Sequence, residues 1–393
     1  MTPALLFLAI LFVATGVYVT AAAVLAWCRR ADCALPPRGF TPAVSIVKPL
    51  SGGDDGLEEN LESFYRLDYP AYEIVFSFAR GDDPAYPIAL RVADRHRNVR
   101  TVFVVDPAEP APNSKVNRLA AGVRRARYHY VLFSDGNVRV RPDFLRHAIA
   151  PFRDRSVGLV SNLFRGMWPE TLSSRLECLY LNGALLPATA FLGRLLRQPC
   201  VVGKSILMSR AALETIGGLA TVGDYLAEDY LLGVTVRSAG FRVVLSADTL
   251  DTAEITKSPR AAWSRHRRWS MMRNRLGGPA YGGELLANCL TWFTAALVSS
   301  AGRPGVVVAA GLLLAFRYLA EAVSEWDGGH PMRAADLLLL PLRDVLLVGL
   351  FVSGLLGRRT IWRGRPIVVG PRSLIVTAAP AGRRALRPAE ARS

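Results

Sequence analysis

The sequence predicts an α/β domain with a mostly parallel sheet, held at a membrane by apolar helices at both ends of the chain. Between residues 40 and 280, short β-branched or aromatic runs alternate with longer helical patterns, which is typical of βαβ units. Residues 3–27 carry no charge, and residues 285–356 are again apolar. The 393-residue chain is 51% hydrophobic, with a mean hydropathy of +0.23. This composition excludes a disordered chain and is too apolar for an ordinary soluble enzyme.

The N-terminal segment 3–27 predicts a transmembrane anchor, which we assign to residues 1–28. A helix of this length, at about 1.5 Å per residue, exceeds a hydrocarbon core of roughly 30 Å. A cleaved signal peptide is the alternative, but the segment has no basic start and is longer than the apolar part of such peptides. Arg29, Arg30 and Arg38 follow at once, which by the positive-inside rule places the next segment in the cytoplasm.

The C-terminal apolar region 285–356 predicts two or three membrane spans, with candidate segments at 285–301, 304–321 and 335–356. The third segment contains Arg343 and Asp344 side by side. An intramembrane charge can mark a functional site, but we expect these two residues to pair with each other and to face other helices. The tail 357–393 has nine Arg residues and one acid, so we predict that it is cytoplasmic. Cytoplasmic ends on both sides require an even number of crossings, so one segment is expected to be re-entrant or interfacial.

The chain is strongly basic, with 48 Lys and Arg residues against 32 Asp and Glu residues. A net charge of +16 suits nucleic acid, an anionic membrane surface or a phosphorylated substrate. No nucleic-acid recognition motif accompanies the charge, so we predict no nucleic-acid partner. Only four of the cations are Lys. The five Cys residues form no C-x-x-C pair and no zinc-spaced cluster, which supports neither a disulfide framework nor a structural metal.

The elements of the middle domain can be assigned in order. The pattern predicts strands at 44–50, 72–79, 99–106 and 130–140, and helices at 57–67, 84–96 and 113–126. Strands joined by helices of this length lie parallel, and the ligands of such open sheets bind at the carboxyl ends of the strands. Polar residues at those ends are therefore the first candidates for a site.

Acidic residues follow two of these strands and open a later helix, and a basic, aromatic run comes after them. These candidates are Asp82-Asp83, Asp135-Gly136-Asn137, Glu228-Asp229 and the run 265–269. Carboxylates at strand ends can hold a divalent cation that carries a diphosphate, and a separate carboxylate can deprotonate an attacking hydroxyl. Arginines can bind the diphosphate. Taken singly, each motif has a plainer interpretation as a helix cap, a turn or a basic stretch beside a membrane.

In their order and spacing, these motifs resemble membrane-bound family-2-type glycosyltransferases, and more narrowly the ceramide glucosyltransferase group, family 21. The resemblance covers nearly the whole chain and implies a GT-A-like nucleotide-diphospho-sugar transferase domain over residues 40–280. The motifs that carry it are VSIVKPLSG (44–52), LEENLESFYRLDYPAYEI (57–74), GDDPA (81–85), NSKVNRL (113–119), SDGNVRV (134–140), GKSILMSR (203–210), AEDY (227–230), RHRRW (265–269) and WRGR (362–365).

The resemblance implies that the donor nucleotide is bound by residues of three motifs. Asp82 and Asp83 match the family's first aspartate, which holds the base and the ribose. Lys115 and Asn117 lie along the nucleotide, and Lys48 is assigned to the same donor site.

The resemblance also implies which residues carry the chemistry. Asp135, with Asn137, is assigned to a divalent cation, Mg²⁺ or Mn²⁺, and to the diphosphate. Asp229 matches the general base, and the residues that close over the diphosphate and line the acceptor site are Arg265, Arg268 and Trp269. Many family-2 enzymes have Asp-x-Asp where this chain ends in Asn137. Because an amide oxygen brings no charge to a cation, this departure weakens the prediction of tight metal binding.

The implied function is an inverting transfer of a sugar, glucose first, from a UDP-sugar to the hydroxyl of a membrane lipid such as ceramide, on the cytoplasmic face of a multi-pass membrane protein. The nearest alternatives are a hopanoid or another lipid acceptor, or N-acetylglucosamine as the sugar. A processive polysaccharide synthase shares the aspartates but needs more spans. A non-catalytic membrane scaffold on the same fold would be expected to lack some acidic positions, whereas both Asp135 and Asp229 are present.

Overall fold

The computed structural model describes residues 2–32, 39–53, 56–329 and 332–377. Eight strands of this part of the chain form the central sheet. They are β1 (Val44–Pro49), β2 (Tyr72–Phe78), β3 (Arg100–Val105), β4 (Tyr130–Ser134), β5 (Val138–Arg139), β6 (Val157–Met167), β7 (Ser205–Ser209) and β8 (Arg242–Ala253). Their order in the sheet is β3-β2-β1-β4-β7-β6-β8-β5.

The helices alternate with these strands and then continue into the C-terminal region. They are α1 (Pro3–Asp32), α2 (Leu57–Tyr65), α3 (Ala85–Arg95), α4 (Ser114–Val123), α5 (Phe144–Ile149), α6 (Leu172–Tyr180), α7 (Leu186–Ala190), α8 (Arg210–Thr215), α9 (Glu228–Ser238), α10 (Pro259–Gly277), α11 (Gly283–Leu286), α12 (Cys289–Ser300), α13 (Pro304–Asp327), α14 (Ala334–Leu337) and α15 (Leu340–Leu356). The predicted elements of the first half are present within a few residues of their predicted bounds, except that the segment 130–140 forms two strands.

The mostly parallel sheet that the sequence predicts is confirmed. β1 pairs in parallel with β2 on one side and with β4 on the other, and β3 extends the sheet beyond β2. All six residues of β1 are buried, as expected of a strand covered by helices on both faces. Successive side chains point to opposite faces, so Ile46 lies in one hydrophobic core and Val47 in the other.

Three helices of the described residues are long and apolar enough to cross a membrane: Pro3–Ala31, Leu172–Leu195 and Pro304–Asp327. The first and the third coincide with predicted membrane segments, which fits a membrane protein. α12 has 12 residues and reaches only about 18 Å, which is shorter than a bilayer core. Which C-terminal segment is interfacial, and which face of the membrane carries the catalytic domain, stay predictions.

The helix Leu172–Leu195 was not predicted, and it lies inside the region assigned to the catalytic domain. It consists of α6 and α7, joined and extended by two π-helical turns, Leu181–Leu185 and Phe191–Leu195. Its hydropathy is the lowest of the three candidate spans, and half of its most apolar window is buried within the protein. On one side it contacts β6 of the sheet, and on the other it contacts α1, α13 and α15, so it lies between the sheet and the terminal apolar helices.

A buried charge cluster joins the C-terminal helices. Arg343 pairs with Asp344 at 2.8 Å, as the sequence predicts, but it also binds Glu321 of α13 and the carbonyl of Leu179 at 3.1 Å. The same Glu321 pairs with Arg317 at 2.6 Å. Glu321 and Arg343 are at most 2% exposed, so each charge depends on its partners in the cluster rather than on water.

The first part of the predicted basic tail folds back onto the catalytic domain. After α15 the chain forms a second sheet of β9 (Arg359–Trp362), β10 (Arg365–Val369) and β11 (Ile375–Thr377). Leu226 N donates to the Ser373 carbonyl at 2.9 Å, and Ala227 N donates to Ser373 Oγ at 3.1 Å. These strands therefore hold the segment just before α9, and residues 378–393 lie outside the described residues.

We predict that Glu321→Ala lowers the thermal midpoint of unfolding of the detergent-purified protein, because it leaves Arg317 and Arg343 buried without their shared counterion. Loss of one partner of such a buried pair typically costs about 3–5 kcal/mol. The control is Asp327→Ala, which removes a partly exposed carboxylate of α13, the helix that carries Glu321. Asp327 pairs with Arg30 of α1, and its loss should cost less than about 1 kcal/mol. Circular dichroism melting measures both, and equal midpoints would show that the cluster does not stabilise the fold.

Candidate active site

The candidate site lies at the carboxyl end of β4, where Asp135 opens the turn toward β5. Because β7 runs antiparallel to β4 and Ser205 pairs with Ser134, the residues before β7 lie beside this turn. Lys204 Nζ is 3.6 Å from Asp135 Oδ2, and Lys48 Nζ donates to the Asp135 carbonyl at 2.9 Å. The sheet register thus brings lysines from two other strand ends to the predicted metal residue.

Lys115 connects Asp135 to α9. Its Nζ lies 2.9 Å from Asp135 Oδ1 and 3.2 Å from Glu228 Oε1, and it donates to the Gly203 carbonyl at 3.3 Å. Lys115 is in the first turn of α4, where the side-chain oxygen of Asn113 caps the helix by accepting from Lys115 N at 2.9 Å. Asn113 Nδ2 also donates to Glu228 Oε2 at 3.2 Å, so the same residue fastens α4 to α9.

Asp229, the predicted general base, lies in the first turn of α9. Its Oδ2 accepts from Gly203 N and its Oδ1 accepts from Tyr230 N, both at 2.8 Å. Burial, and then the neighbouring charge of Glu228, raise the pKa of Asp229 to about 6, although Lys115 acts in the opposite direction. Such a carboxylate is still ionised at pH 7, and it holds a proton more strongly than an ordinary aspartate.

The pKa of Asp135 is shifted in the opposite direction from that of Asp229. Burial alone would raise the pKa of Asp135, but Lys115 and then Lys204 outweigh it and hold that pKa at about 2. Burial likewise acts to lower the pKa of Lys115, but Asp135, Glu228 and Asp229 raise it above its usual value. Lys115 and Asp135 are therefore both charged at any physiological pH, whereas Asp229 is the carboxylate able to exchange a proton.

The polar cluster continues through Asn137 to α10. Asn137 Oδ1 accepts from Lys204 Nζ at 2.7 Å, and Asn137 Nδ2 is 3.5 Å from Glu254 Oε1. Glu254 follows β8 directly and is brought here by the antiparallel pairing of β5 with β8. Its carboxylate pairs with Arg265 at 2.7 Å and with Lys257 at 3.6 Å.

The RHRRW motif on α10 is held by a carboxylate of the apolar helix Leu172–Leu195. Arg265 and His266 both bind Glu177 of α6, with His266 Nε2 at 2.9 Å from Glu177 Oε1. Burial, and then the Arg265 charge, keep the pKa of His266 well below its usual value, so this imidazole is neutral. The Trp269 ring packs edge-on against His266, with centroids 5.1 Å apart, and the Arg265 guanidinium is 5.6 Å from the Trp269 centroid.

The guanidinium of Arg363, in the C-terminal strands, lies near Arg268 of the RHRRW motif. Burial, and then Arg363, lower the pKa of Arg268 to about 10. Arg363 lies in the β9–β10 turn, where Arg363 and Gly364 both have positive φ angles, and its Nη1 donates to Ser114 Oγ at 3.1 Å. Two like charges beside the start of α4 form a suitable place for an anion such as a diphosphate.

The predicted base-binding aspartates lie on a neighbouring loop, after β2. Asp82 is exposed and pairs with Arg80 at 2.6 Å. Asp83 Oδ1 accepts from Gly52 N and from Ala85 N, both at 2.9 Å, and so ties the loop after β1 to the start of α3. Their contact with a nucleotide stays a prediction.

Lys48 and Asn117 hold loops of the site. Lys48 is fully buried, with its Nζ 3.2 Å from Ser134 Oγ and 3.6 Å from the centroid of the Phe64 ring. The Asn117 side chain both donates to and accepts from the backbone of Ala111, at 2.8 and 3.1 Å. Their contacts with the donor also stay predictions.

The divalent cation that the resemblance implies would be held by Asp135 and Asn137. The side-chain oxygens of both residues already face the ammonium groups of Lys115 and Lys204. Within residues 2–32, 39–53, 56–329 and 332–377, no three His, Cys, Asp or Glu side chains are grouped to hold a metal ion. The donor set therefore does not fit a divalent cation well.

A family model described as glycosyl transferase family 21 matches residues 7–375, which is nearly the whole chain. The chain belongs to glycosyl transferase family 21. The match runs from α1 to β11, so the membrane helices and the C-terminal strands lie within the matched region together with the sheet. The resemblance inferred from the motifs is confirmed.

Curated relatives of the family-21 chain are ceramide glucosyltransferases. Ceramide glucosyltransferase 1 of Caenorhabditis elegans is 27% identical over 256 residues, which cover 65% of this chain and 55% of the relative. Ceramide glucosyltransferase 3 of the same organism is 30% identical over 207 residues, which cover 52% of this chain and 45% of the relative. The chain thus spans about half the length of the curated relatives that it matches.

A solved structure shares the fold of the family-21 chain. The mannosyltransferase PcManGT from Pyrobaculum calidifontis, in complex with GDP-Man and Mn²⁺, matches with a TM-score of 0.54 and 19% identity, and the match covers 89% of this chain and 99% of that chain. At this identity the likeness shows the fold alone. The GT-A-like fold predicted from the motifs is confirmed.

Sequence reasoning did not assign a role to several residues that the family-21 fold brings to the site. They are Asn113, Glu177, Lys204, Glu228, Glu254 and Arg363. Asn113, Lys204, Glu228 and Arg363 lie inside quoted motifs, and the rarity of lysine in this chain was a usable signal for Lys204. Nothing in the sequence marks Glu177 or Glu254, because only the sheet register and the helix packing bring them here.

We predict that Gly203→Ala slows transfer while the protein stays folded. A Cβ atom at this position would lie 2.9 Å from Lys115 Nζ and 3.1 Å from Asp229 Oδ2, so both groups must shift. Since a displacement of reacting groups by about 1 Å costs roughly 100-fold in rate, shifts of a few tenths of an ångström should slow transfer by up to about tenfold. The control is Gly282→Ala, whose Cβ would meet nothing within 4 Å. The transfer rates of the two variants are compared after melting curves have shown that both are as stable as the wild type. Equal rates for the two variants would mean that the site tolerates displacement of both groups.

Proposed function

We propose that this family-21 glycosyltransferase moves a sugar, glucose first, from a UDP-sugar to the hydroxyl of a membrane lipid of the ceramide class, with inversion. The observation that carries the proposal is Asp229, a carboxylate with a pKa of about 6 that is fixed by Gly203 and Tyr230 beside the pair of Lys115 and Asp135. The names of the curated relatives support the acceptor and the sugar.

The reaction we propose is one direct displacement. Asp229 takes the proton of the acceptor hydroxyl as the hydroxyl oxygen bonds to the anomeric carbon of the sugar. The bond between that carbon and the diphosphate oxygen breaks, and its electron pair leaves with the nucleoside diphosphate. Because attack and departure occur on opposite faces, an α-linked donor gives a β-linked product.

The leaving diphosphate needs positive charge, which the proposed donor site supplies from three elements. Lys115 is at the start of α4, Arg268 is on α10, and Arg363 is on the β9–β10 turn. Fixed cations that face the bond being broken stabilise the negative charge that develops on the diphosphate. Arg265 and Trp269 are then the residues of α10 that lie toward the acceptor.

The membrane helices are proposed to deliver the lipid and to set the orientation. Arg29 and Arg30 at the end of α1 contact the end of α13, through the Ser324 carbonyl at 3.0 Å and Asp327 at 2.8 Å. These arginines mark the cytoplasmic ends of both helices under the positive-inside rule. A water-soluble donor then reaches the site from the cytoplasm, while a lipid acceptor stays at the bilayer surface.

The test is a transfer assay on the purified protein in detergent with a panel of UDP-sugars and of lipid alcohols: ceramide, diacylglycerol and a hopanoid alcohol. We expect one glycolipid, from UDP-glucose and ceramide, identified by mass spectrometry with its anomeric configuration. Asp229→Asn is the matched control and should bind UDP within about twofold of the wild type, yet transfer at least about 100-fold more slowly, because the general base is lost. Polymer products, transfer only to another lipid, or wild-type transfer by Asp229→Asn would contradict the proposal.

We also predict an acidic limit to transfer near pH 6. Since the pKa of Asp229 is raised, its ionised form is fully present at pH 8 and is lost as the pH falls through about 6. At pH 5 the rate should therefore be about one tenth of its plateau. Binding of UDP-glucose should stay constant over this range, because Asp135, with a pKa of about 2, keeps its charge. The donor is used rather than UDP, since the terminal phosphate of UDP takes up a proton at about pH 6. A rate that is flat down to pH 5 would show that Asp229 is not the base.

A further inference from the structure

The lysines of this chain are few and lie in one place. Of the 48 basic residues only four are lysines, and the other 44 are arginines. Three of the four lysines, Lys48, Lys115 and Lys204, contact Asp135, and the fourth, Lys257, pairs with Glu254 at the edge of the same cluster. A chain that uses arginine almost everywhere else therefore has the compact ammonium group specifically at this site.

The ammonium groups lie where a divalent cation would find its ligands. Asp135 Oδ1 is 2.9 Å from Lys115 Nζ, and Asp135 Oδ2 is 3.6 Å from Lys204 Nζ. Asn137 Oδ1, the other oxygen assigned to a cation, accepts from Lys204 Nζ at 2.7 Å. Each side-chain oxygen that the sequence assigns to a metal thus has a lysine in front of it.

The charges of the cluster balance without a dication. Its five carboxylates belong to Asp135, Glu177, Glu228, Asp229 and Glu254, and the five cations around them are the four lysines and Arg265. Mg²⁺ or Mn²⁺ is bound by negatively charged oxygens, and Asn137 supplies only a neutral one. A dication would have to displace Lys204, which is 8% exposed, from both of its partners.

Resting on the proposed function, we propose that the ammonium groups of Lys115 and Lys204 take the place of a divalent cation, so that this enzyme binds its nucleoside diphosphate and transfers sugar without a metal. The diphosphate oxygens accept N–H bonds from both lysines. When the bond to the anomeric carbon breaks, its electron pair moves to the diphosphate, the two ammonium groups remain protonated, and the acceptor proton goes to Asp229. No oxidant, reductant or further reactant is needed.

Lys48 has a different task in this arrangement. It is fully buried, and its Nζ is bonded to the Ser134 hydroxyl and the Asp135 carbonyl, so it acts on the backbone of the turn rather than on the ligand. We assign it as a positioning residue that fixes the direction of the Asp135 carboxylate toward Lys115 and Lys204.

The first experiment measures UDP binding to the full-length detergent-purified protein by calorimetry, after EDTA treatment and again with added Mn²⁺. We expect dissociation constants within about twofold of each other, whereas a metal-dependent site would lose binding by more than about tenfold in EDTA. Mn²⁺ alone is titrated in parallel and followed by its electron paramagnetic resonance signal. A stoichiometric Mn²⁺ site that disappears in Asp135→Asn would overturn the proposal, whatever the sugar or the lipid is.

Variants distinguish the lysine role from a structural one. Lys204→Met should weaken UDP binding at least about tenfold, without recovery in Mn²⁺, and Lys204→Arg should restore part of it. The control is Arg242→Met, which removes an exposed cation paired with Asp154 and should leave binding unchanged. The double variant Asn137→Asp with Lys204→Met creates the missing acidic ligand and removes the competing ammonium, so its UDP binding should become Mn²⁺-dependent.

These outcomes separate this inference from the proposed function. Metal-free UDP binding that depends on Lys204, together with failure to glycosylate any lipid of the panel, would refute the proposed function and support this inference. Lipid transfer that stops in EDTA and returns with Mn²⁺ would support the proposed function and refute this inference. Unchanged UDP binding by Lys204→Met would also overturn the inference.

Discussion

The ion pair between Lys115 and Asp135 is the interaction on which the rest of the site depends. Three carboxylates, those of Asp135, Glu228 and Asp229, gather at the meeting point of β4 and α9, and like charges this close repel each other unless a cation lies among them. Lys115 supplies that cation from the first turn of α4. Because it lies closer to Asp135 than the other cations do, one aspartate stays permanently charged while Asp229 keeps its proton more strongly. Different surroundings thus give two aspartates of one cluster opposite shifts in pKa.

The same principle connects the site to the membrane region, since charged residues hold the α10 motif from both sides. Glu177, on the apolar helix between the sheet and the terminal apolar helices, binds Arg265 and His266, and Arg267 donates to Ser353 of α15 at 2.8 Å. α10 therefore contacts both α6, which packs on the sheet, and α15 of the C-terminal apolar region. Its position is set by both parts at once, so the residues proposed to face donor and acceptor are carried by an element that neither part would hold in place alone.

The sequence was sufficient for the features that are local or periodic. The βαβ alternation, the first apolar helix and the pairing of Arg343 with Asp344 each depend on neighbouring residues, and the structure contains all three. The apolar helix Leu172–Leu195 was not predicted because its charged residues lower its mean hydropathy. It also lies inside a segment whose residue pattern is that of an α/β domain. The contact of Lys204 with Asp135 depends on the antiparallel register of β7 with β4, which no local pattern encodes. The motifs therefore identified the family and the aspartates, while the tertiary fold alone reveals which cations surround them.

The return of the chain after α15 has a consequence for the order in which the molecule is made. Ser373 accepts backbone bonds from Leu226 and Ala227, the residues immediately before the α9 turn that carries Asp229. A ribosome synthesises the chain from its N-terminus, and the earlier parts of a protein fold first. Here the support for the α9 turn is synthesised after every described membrane helix. A nascent chain that is still being inserted therefore lacks the two hydrogen bonds that hold the segment before α9.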